Sequence, residues 1–175
     1  SSPDAGVRRS ASNALKKEGT TAVPYLIRVL SSGTIDGKRA AARMLGRIGD
    51  PRAIDPLVRI AFSYEPKPLR ADCDKALLAI GEPAMPAIID GLEHPRLQSI
   101  SGAADLLGRM GDPRALNSLE DSLSIAHIGN RGYVLKAIGQ IGGEEAIGIL
   151  IRSLANDDDR PAALRWLVKY GEESI

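Results

Sequence analysis

Few side chains in this 175-residue sequence could take part in bond-making chemistry. It contains a single cysteine, Cys73, and two histidines, His94 and His127, which stand well apart in the chain. A protein zinc site needs three or four suitable ligands, and a nucleophilic cysteine needs a neighbouring base. Asp72 and Asp74 flank Cys73 and would raise the pKa of its thiol rather than lower it. The sequence therefore predicts no catalytic residue, no metal site and no cofactor, and it places Cys73 in the core.

Charged residues instead recur about every 31 residues, as in a repeat protein. One column is basic at five of its six positions: Arg8, Lys38, Arg70, Ile100, Arg131 and Arg160. Such a ladder could follow a phosphate backbone or an acidic peptide. Because it coincides with the repeat consensus, it favours hydrogen bonds between neighbouring repeats.

A second column changes sign along the chain, and we predict it as the partner-binding set: Arg28, Arg59, Asp90, Asp121 and Arg152. Variable charge at a fixed repeat position could distinguish one partner from another, and the alternative is an ordinary solvated helix face. Four apolar residues stand directly beside the column: Ile27, Val58, Ile89 and Ile151. They either complete the core or leave an apolar strip for a partner helix.

The elements that position these columns are marked by six glycines: Gly19, Gly49, Gly81, Gly111, Gly142 and Gly171. Apolar residues precede all six glycines at helical spacing and also follow the first five, and no segment alternates with a period of two. Each glycine is therefore predicted to end a first helix in a left-handed conformation, and the first five are predicted to precede a second helix. Asp50 and Asp112 are predicted to cap the amides that follow. Three further glycines are expected to let helices approach closely: Gly46, Gly108 and Gly139.

One helical hairpin cannot bury both of its apolar faces, so neighbouring hairpins must stack. We therefore predict an all-α solenoid that forms one repeat domain over residues 1–175. Its units run over about 4–33, 34–64, 65–94, 95–126 and 127–157, followed by a half repeat at 158–175. Trp166 replaces an alanine or leucine of the core stripe and is predicted to pack in the core.

The charge balance restricts the class of partner. The chain has 23 basic and 22 acidic residues, which argues against a dedicated nucleic-acid binder, although residues 1–60 hold 11 basic and 5 acidic residues. No apolar run approaches the roughly 18 residues of a membrane span. The single cysteine fits a reducing compartment, so a cytoplasmic location is predicted. The sequence begins at Ser1 without an initiator Met, which is compatible with a piece of a larger protein.

A doubled motif carries a family resemblance. The segment Gly49–Ile54 recurs almost unchanged as Gly111–Leu116, and an Ala-x-x-Leu-Gly-x-Ile-Gly pattern ends at Gly49. These segments resemble HEAT repeats, and more narrowly the short subtype named after the phycobilisome lyases. The resemblance implies a right-handed α-α superhelix of about five and a half repeats, with the second helices lining its concave face.

The same resemblance implies several activities. HEAT-like proteins include scaffolds, bilin lyase subunits, DNA-alkylation repair enzymes and iron-dependent hydroxylases that carry several His-Glu dipeptides. Neither His94 nor His127 is followed by Glu, and Trp166 is the only tryptophan. The sequence therefore favours a non-enzymatic scaffold or adaptor that binds an unidentified protein through the concave face. The alternatives are a subunit of a bilin-lyase-like or other modifying enzyme, and a nucleic-acid-binding module in the basic N-terminal repeats.

Overall fold

The computed structural model describes residues 19–93, 97–125 and 128–173 of the chain, and within them it contains α-helices and short 3₁₀ helices but no strand. The α-helices are α1 (19–32), α2 (Ile35–Ile48), α3 (Ile54–Ala61), α4 (Lys67–Ile80), α5 (Met85–Ile89), α6 (Leu97–Met110), α7 (Leu116–Ile125), α8 (Ile128–Ile141), α9 (Gly143–Ser153) and α10 (Arg160–Glu173). The 3₁₀ helices are Pro51–Ala53, Glu82–Ala84, Asp90–Leu92 and Pro113–Ala115. The predicted all-α class is therefore confirmed for the described residues.

Glycine ends the first helix of four repeats, as the sequence predicts. Gly49 has φ 71° and ψ 25°, and its amide donates to the carbonyl of Leu45 at 3.0 Å. Gly81, Gly111 and Gly142 also have positive φ, at 75°, 66° and 75°. At Gly81 and Gly142 ψ is extended, at −137° and −167°, a region that is almost confined to glycine.

The prediction of a left-handed turn is wrong at Gly19 and Gly171. Both lie inside described helices, α1 and α10, and neither has a positive φ. Two threonines follow Gly19 where an Asp-Pro pair follows Gly49, so no capping carboxylate competes with the helix there. Two glutamates follow Gly171, and glutamate favours continuation of a helix.

The doubled motif forms the same local structure twice. An Asp50 carboxylate oxygen accepts a hydrogen bond from the amide of Arg52 at 2.9 Å, and Asp112 accepts from the amide of Arg114 at 3.0 Å. In both places the proline occupies the first turn of a 3₁₀ helix, where its missing N–H leaves no bond unmade. Both predicted caps are confirmed.

The described residues form two compact units. Unit one comprises residues 19–61 and 65–84, and unit two comprises residues 62–64 and the described residues from Met85 onward. The boundary falls inside the third predicted repeat, so that α4 belongs to unit one and α5 to unit two. The single repeat domain over residues 1–175 stays a prediction.

In unit one, α2 packs against α4 at very close range. A Cβ at Gly46 would lie 2.6 Å from the Cα of Ala76, which confirms that this glycine permits the approach. Across the same pair of helices, the nearly buried carboxylate of Asp72 accepts from Arg39 at 2.8 Å and Arg43 at 3.1 Å. The fully buried aliphatic residues include Val23, Leu30, Leu45, Leu57, Leu69 and Leu77.

In unit two, α6 and α8 repeat this arrangement. A Cβ at Gly108 would lie 2.9 Å from the Cα of Ala137. The ring of Phe62 fills the space left by two further glycines, Gly91 and Gly102, where added Cβ atoms would meet it at 2.5 and 2.9 Å. The fully buried core includes Leu106, Leu107, Leu116, Leu119, Leu135, Ile138 and Leu150.

The basic ladder connects neighbouring repeats where its partners are described. Lys38 pairs with Glu65 of the next repeat at 2.9 Å. Arg131 donates to both carboxylate oxygens of the buried Asp159, at 2.7 and 2.5 Å. Arg8 lies outside the described residues. The predicted contacts between repeats are therefore confirmed at Lys38 and Arg131.

Candidate functional site

The structure places all five predicted partner-binding residues on the surface. Arg28, Arg59, Asp90, Asp121 and Arg152 are exposed. They lie on or directly after the second helices of their repeats, because they stand two positions beyond an apolar anchor residue. Four of these anchors are completely buried: Leu57, Ile88, Leu119 and Leu150. Burial of the anchors turns the column towards solvent, and its binding role stays a prediction.

In unit one, the column lies beside an apolar groove. Arg28 is the only charged residue of α1 between residues 19 and 32. A groove of about 410 Å³ between α1 and α3 is lined by Ile27, Pro56, Arg59 and Ile60, among others. This groove could accept aliphatic side chains beside a guanidinium group.

In unit two, one member of the column is already engaged. The guanidinium of Arg152 on α9 forms two hydrogen bonds with the carboxylate of Glu120 on α7, at 2.9 and 3.0 Å. Both residues line a polar groove of about 500 Å³ that also includes Arg131 and Asp159. Asp90 and Asp121 are exposed, so the net charge of this part of the column is negative.

The apolar neighbours of the column are only partly covered. Ile27, Val58 and Ile89 are half-buried, and Ile151 keeps 55% of its surface exposed. On α1, Tyr25 and Val29 are also exposed. These side chains do not complete the core in either unit, and they leave apolar surface beside the charges.

Cys73 occupies the core, as predicted. Its side chain is completely buried, and burial together with Asp74 and Asp72 raises the pKa of the thiol to about 12. A thiol with this pKa is protonated at neutral pH and is a poor nucleophile. His94 and His127 lie outside the described residues.

Neither a metal-binding cluster nor a membrane-spanning helix is present among the described residues. Residues 19–93, 97–125 and 128–173 include no group of three or more His, Cys, Asp or Glu side chains that could hold a metal ion. Across the same ranges, no helix is both long and apolar enough to span a membrane.

The sequence did not predict a third groove, which lies between α8 and α10 in unit two. Its volume is about 950 Å³, and Tyr133, Leu164, Trp166 and Val168 are among the residues that line it. Trp166 rests on the backbone of Gly139 and is half-buried. The prediction that it packs in the core is therefore confirmed in part, since the ring lies between two helices but is not completely enclosed. The only signal of the groove in the sequence was the larger size of Trp166 relative to the alanine or leucine of other repeats.

Comparison with known proteins identifies the architecture. The family of HEAT repeats matches residues 1–77 and 85–169. The structure of human deoxyhypusine hydroxylase in complex with glycerol is similar over 92% of this chain and 78% of that chain, with a TM-score of 0.53 and 19% sequence identity. At this identity the likeness concerns the fold alone. Comparison with curated proteins finds no match. The phycobilisome-lyase subtype stays a prediction, and the chain belongs to the HEAT-repeat family.

Proposed function

We propose that this chain is a non-enzymatic scaffold that binds a protein partner through the exposed side chains of its second helices. The observation that carries the proposal is the charged column on buried anchors. Leu57, for example, is completely buried while Arg59, two positions later, is exposed. Because the buried anchors fix the helices, the exposed residues beside them can differ in charge from one repeat to the next.

In unit one, the proposed partner segment is acidic and aliphatic. Arg28 and Arg59 supply positive charge, and the groove lined by Ile27 and Ile60 supplies apolar surface. Desolvation of aliphatic side chains in such a groove provides affinity, whereas charges at the rim act mainly on the association rate and on specificity.

In unit two, the proposed contact has the opposite polarity. Asp90 and Asp121 are exposed, and Glu120 already neutralises Arg152. A basic partner segment would gain attraction from the two aspartates without breaking the Glu120–Arg152 pair. The two units are therefore proposed to favour partner segments of opposite charge.

The inert state of Cys73 supports a role without a chemical step. The thiol is buried, and its pKa of about 12 leaves little thiolate at neutral pH. The enzyme-subunit alternative would be favoured if a pigment or a metal copurified with the chain.

The test is quantitative affinity capture from the source cells. The variant Arg28→Glu/Arg59→Glu reverses two charges of the column. Its matched control, Arg47→Glu/Lys75→Glu, reverses two exposed charges of the first helices α2 and α4 in the same unit. We expect the column variant to lose the captured proteins and the control to retain them, while circular dichroism shows both variants to be folded.

Equal capture by the two variants, or an equal loss, would contradict the proposal. Binding to oligonucleotides of random sequence, measured by fluorescence anisotropy, separates the nucleic-acid alternative. Affinity for nucleic acid falls steeply with salt, because counterions are released when phosphates are neutralised.

A further inference from the structure

A tryptophan lies at the interface that contains the groove between α8 and α10. Gly46 of α2 packs against Ala76 of α4, and Gly108 of α6 packs against Ala137 of α8. Gly139 of α8 stands at the same repeat position and faces Trp166 of α10 instead. A glycine opposite alanine closes the first two interfaces, whereas here an indole ring lies between the helices.

Several contacts hold the ring in this place. A Cβ at Gly139 would overlap the ring of Trp166, so the indole rests directly on the backbone of α8. The hydroxyl of Tyr170 donates a hydrogen bond to the carbonyl of Gly139, and the Tyr170 and Trp166 rings are 6.2 Å apart. Packed side chains therefore hold α8 and α10 at this distance from each other.

Apolar surface remains uncovered along this groove. Tyr133 of α8 and Leu164 and Val168 of α10 are exposed by 51%, 46% and 56%. Leu164 and Val168 are four residues apart and so share one face of α10. Three large apolar side chains that line one groove are a common feature of protein-binding sites.

The α8 wall also contains a glycine that the fold itself does not require. Gly132 lines the groove in the interior of α8, and a Cβ there would have no atom within 4 Å. Glycine weakens a helix relative to alanine, and at Gly46, Gly108 and Gly139 a close neighbour explains it. Gly132 has no such neighbour among the described residues, and it leaves bare backbone that a second helix could approach closely.

Both cations and carboxylates line the groove. Lys136, Arg165 and Lys169 stand with Asp158 and Glu172, so the lining carries three positive and two negative charges. Lys136 is 3.2 Å from Asp105, and Lys169 lies 4.8 Å above the ring of Trp166. Arg165 is exposed to solvent. The apolar surface is thus accompanied by the exposed guanidinium of Arg165 and a small net positive charge.

We propose that this groove docks an acidic amphipathic helix of a partner protein. A small residue of that helix would approach Gly132, its aliphatic side chains would cover Leu164 and Val168, and a carboxylate would meet the exposed Arg165. The 14 residues of α10 give a helical groove about 21 Å long, which matches four turns of a partner helix. The site is formed by first helices, so it is separate from the second-helix column of the proposed function.

The probe is a fluorescein-labelled amphipathic peptide of about 15 residues, with alanine and leucine on one face and glutamate on its flanks. Its control carries lysine in place of every glutamate. We expect saturable binding of the glutamate peptide by fluorescence anisotropy, and binding of the lysine peptide at least about tenfold weaker. Equal affinities for the two peptides would overturn the proposal.

Two pairs of variants locate the binding site. Gly132→Leu fills the groove, whereas Gly171→Leu adds the same side chain at another open helical position, one that does not line it. Arg165→Glu reverses a charge of the groove, and Lys75→Glu reverses an exposed charge in unit one. We expect at least about a tenfold loss of affinity in the groove variants and less than about a twofold change in the controls.

Unchanged binding by Gly132→Leu would overturn the proposal, and so would equal losses in the groove variants and the controls. Sedimentation of the free chain tests a different occupant. Self-association that Gly132→Leu abolishes would identify a second copy of the chain in the groove and would also overturn the proposal. Because the column variants of unit one are not used here, failure of this test leaves the proposed function standing.

Discussion

Replacing Gly46 and Gly132 by alanine should change stability in opposite directions, although both glycines lie inside α-helices. The intrinsic effect on the helix is the same, because alanine favours the helical state over glycine by about 1 kcal/mol. The surroundings differ. The new Cβ at position 132 would have no atom within 4 Å, while at position 46 it would lie 2.6 Å from the Cα of Ala76.

The expected magnitudes follow from these distances. Gly132→Ala retains the full benefit of alanine's higher helix propensity and should stabilise unit two by about 0.5–1 kcal/mol. Gly46→Ala must move two backbones about 1 Å apart, because carbon atoms in contact prefer 3.5–4.0 Å. Overpacking of this kind costs about 1–3 kcal/mol, which exceeds the helical gain over most of that range. We expect a net destabilisation of about 1 kcal/mol in unit one.

The assay is thermal unfolding followed by circular dichroism, combined with urea unfolding. For a chain of this size, 1 kcal/mol corresponds to a change of about 2–4 °C in Tm. The two variants should therefore lie on opposite sides of the parent protein. Hydrogen exchange of amides in α2, α4 and α8 assigns each change to its unit even when the chain does not unfold in one step.

Two results would refute the reasoning. A Gly46→Ala variant as stable as Gly132→Ala would mean that α2 and α4 are not in close backbone contact. A destabilised Gly132→Ala variant would mean that the space beside Gly132 is occupied in the isolated chain, which would also remove a support of the proposed docking groove. Adding Ala76→Gly to the Gly46→Ala variant should not recover the lost stability, because the atom nearest to the new Cβ is the backbone Cα of residue 76.

Three further predictions concern buried and capping side chains. The side-chain amide of Asn130 is buried without a hydrogen-bond partner among the described residues, and Leu69 occupies the same repeat position. The variant Asn130→Leu should therefore raise the free energy of unfolding, measured by urea titration, by about 1–3 kcal/mol. The side-chain hydrogen bond from Arg114 lowers the pKa of Asp112 to about 2, so carboxyl NMR should place its titration midpoint there and not near 3.8. The cap's contribution should then be complete above the unfolded pKa and disappear as the pH falls through about 2. Cys73, with a pKa of about 12, should resist alkylation at pH 8 until the protein is unfolded.

The repeat architecture could be predicted because each element has a local signal. Helical spacing of apolar residues defines the helices, and glycine followed by Asp-Pro defines the turn at Gly49 and Gly111. A glycine at this repeat position was not sufficient to predict a turn at Gly19 and Gly171, where the helix continues through the glycine. Glycine permits a left-handed conformation but does not require it. Capping aspartates support the turns after Gly49 and Gly111, whereas Gly142 ends its helix without a side-chain cap.

The candidate sites were less predictable, because they depend on pairs of residues from different repeats. The column around Arg59 was accessible to sequence reasoning, since its position follows from the buried anchor two residues earlier. The pair between Arg152 and Glu120 was not, because the two residues are 32 positions apart and their geometry depends on the stacking of α7 and α9. The groove at Trp166 depends on how one ring meets Gly139 across an interface.

Trp166 shows how a repeat protein can change one surface and leave the rest of its structure intact. Gly46, Gly108 and Gly139 occupy one repeat position, and the residue opposite each glycine decides whether two first helices close together or stay apart. Because each repeat contacts only its neighbours, a larger residue at one such interface is expected to alter that interface alone. The proposed docking groove lies on first helices, whereas the proposed partner-binding column belongs to second helices. The residues that form the groove are also those that determine how α8 and α10 stack.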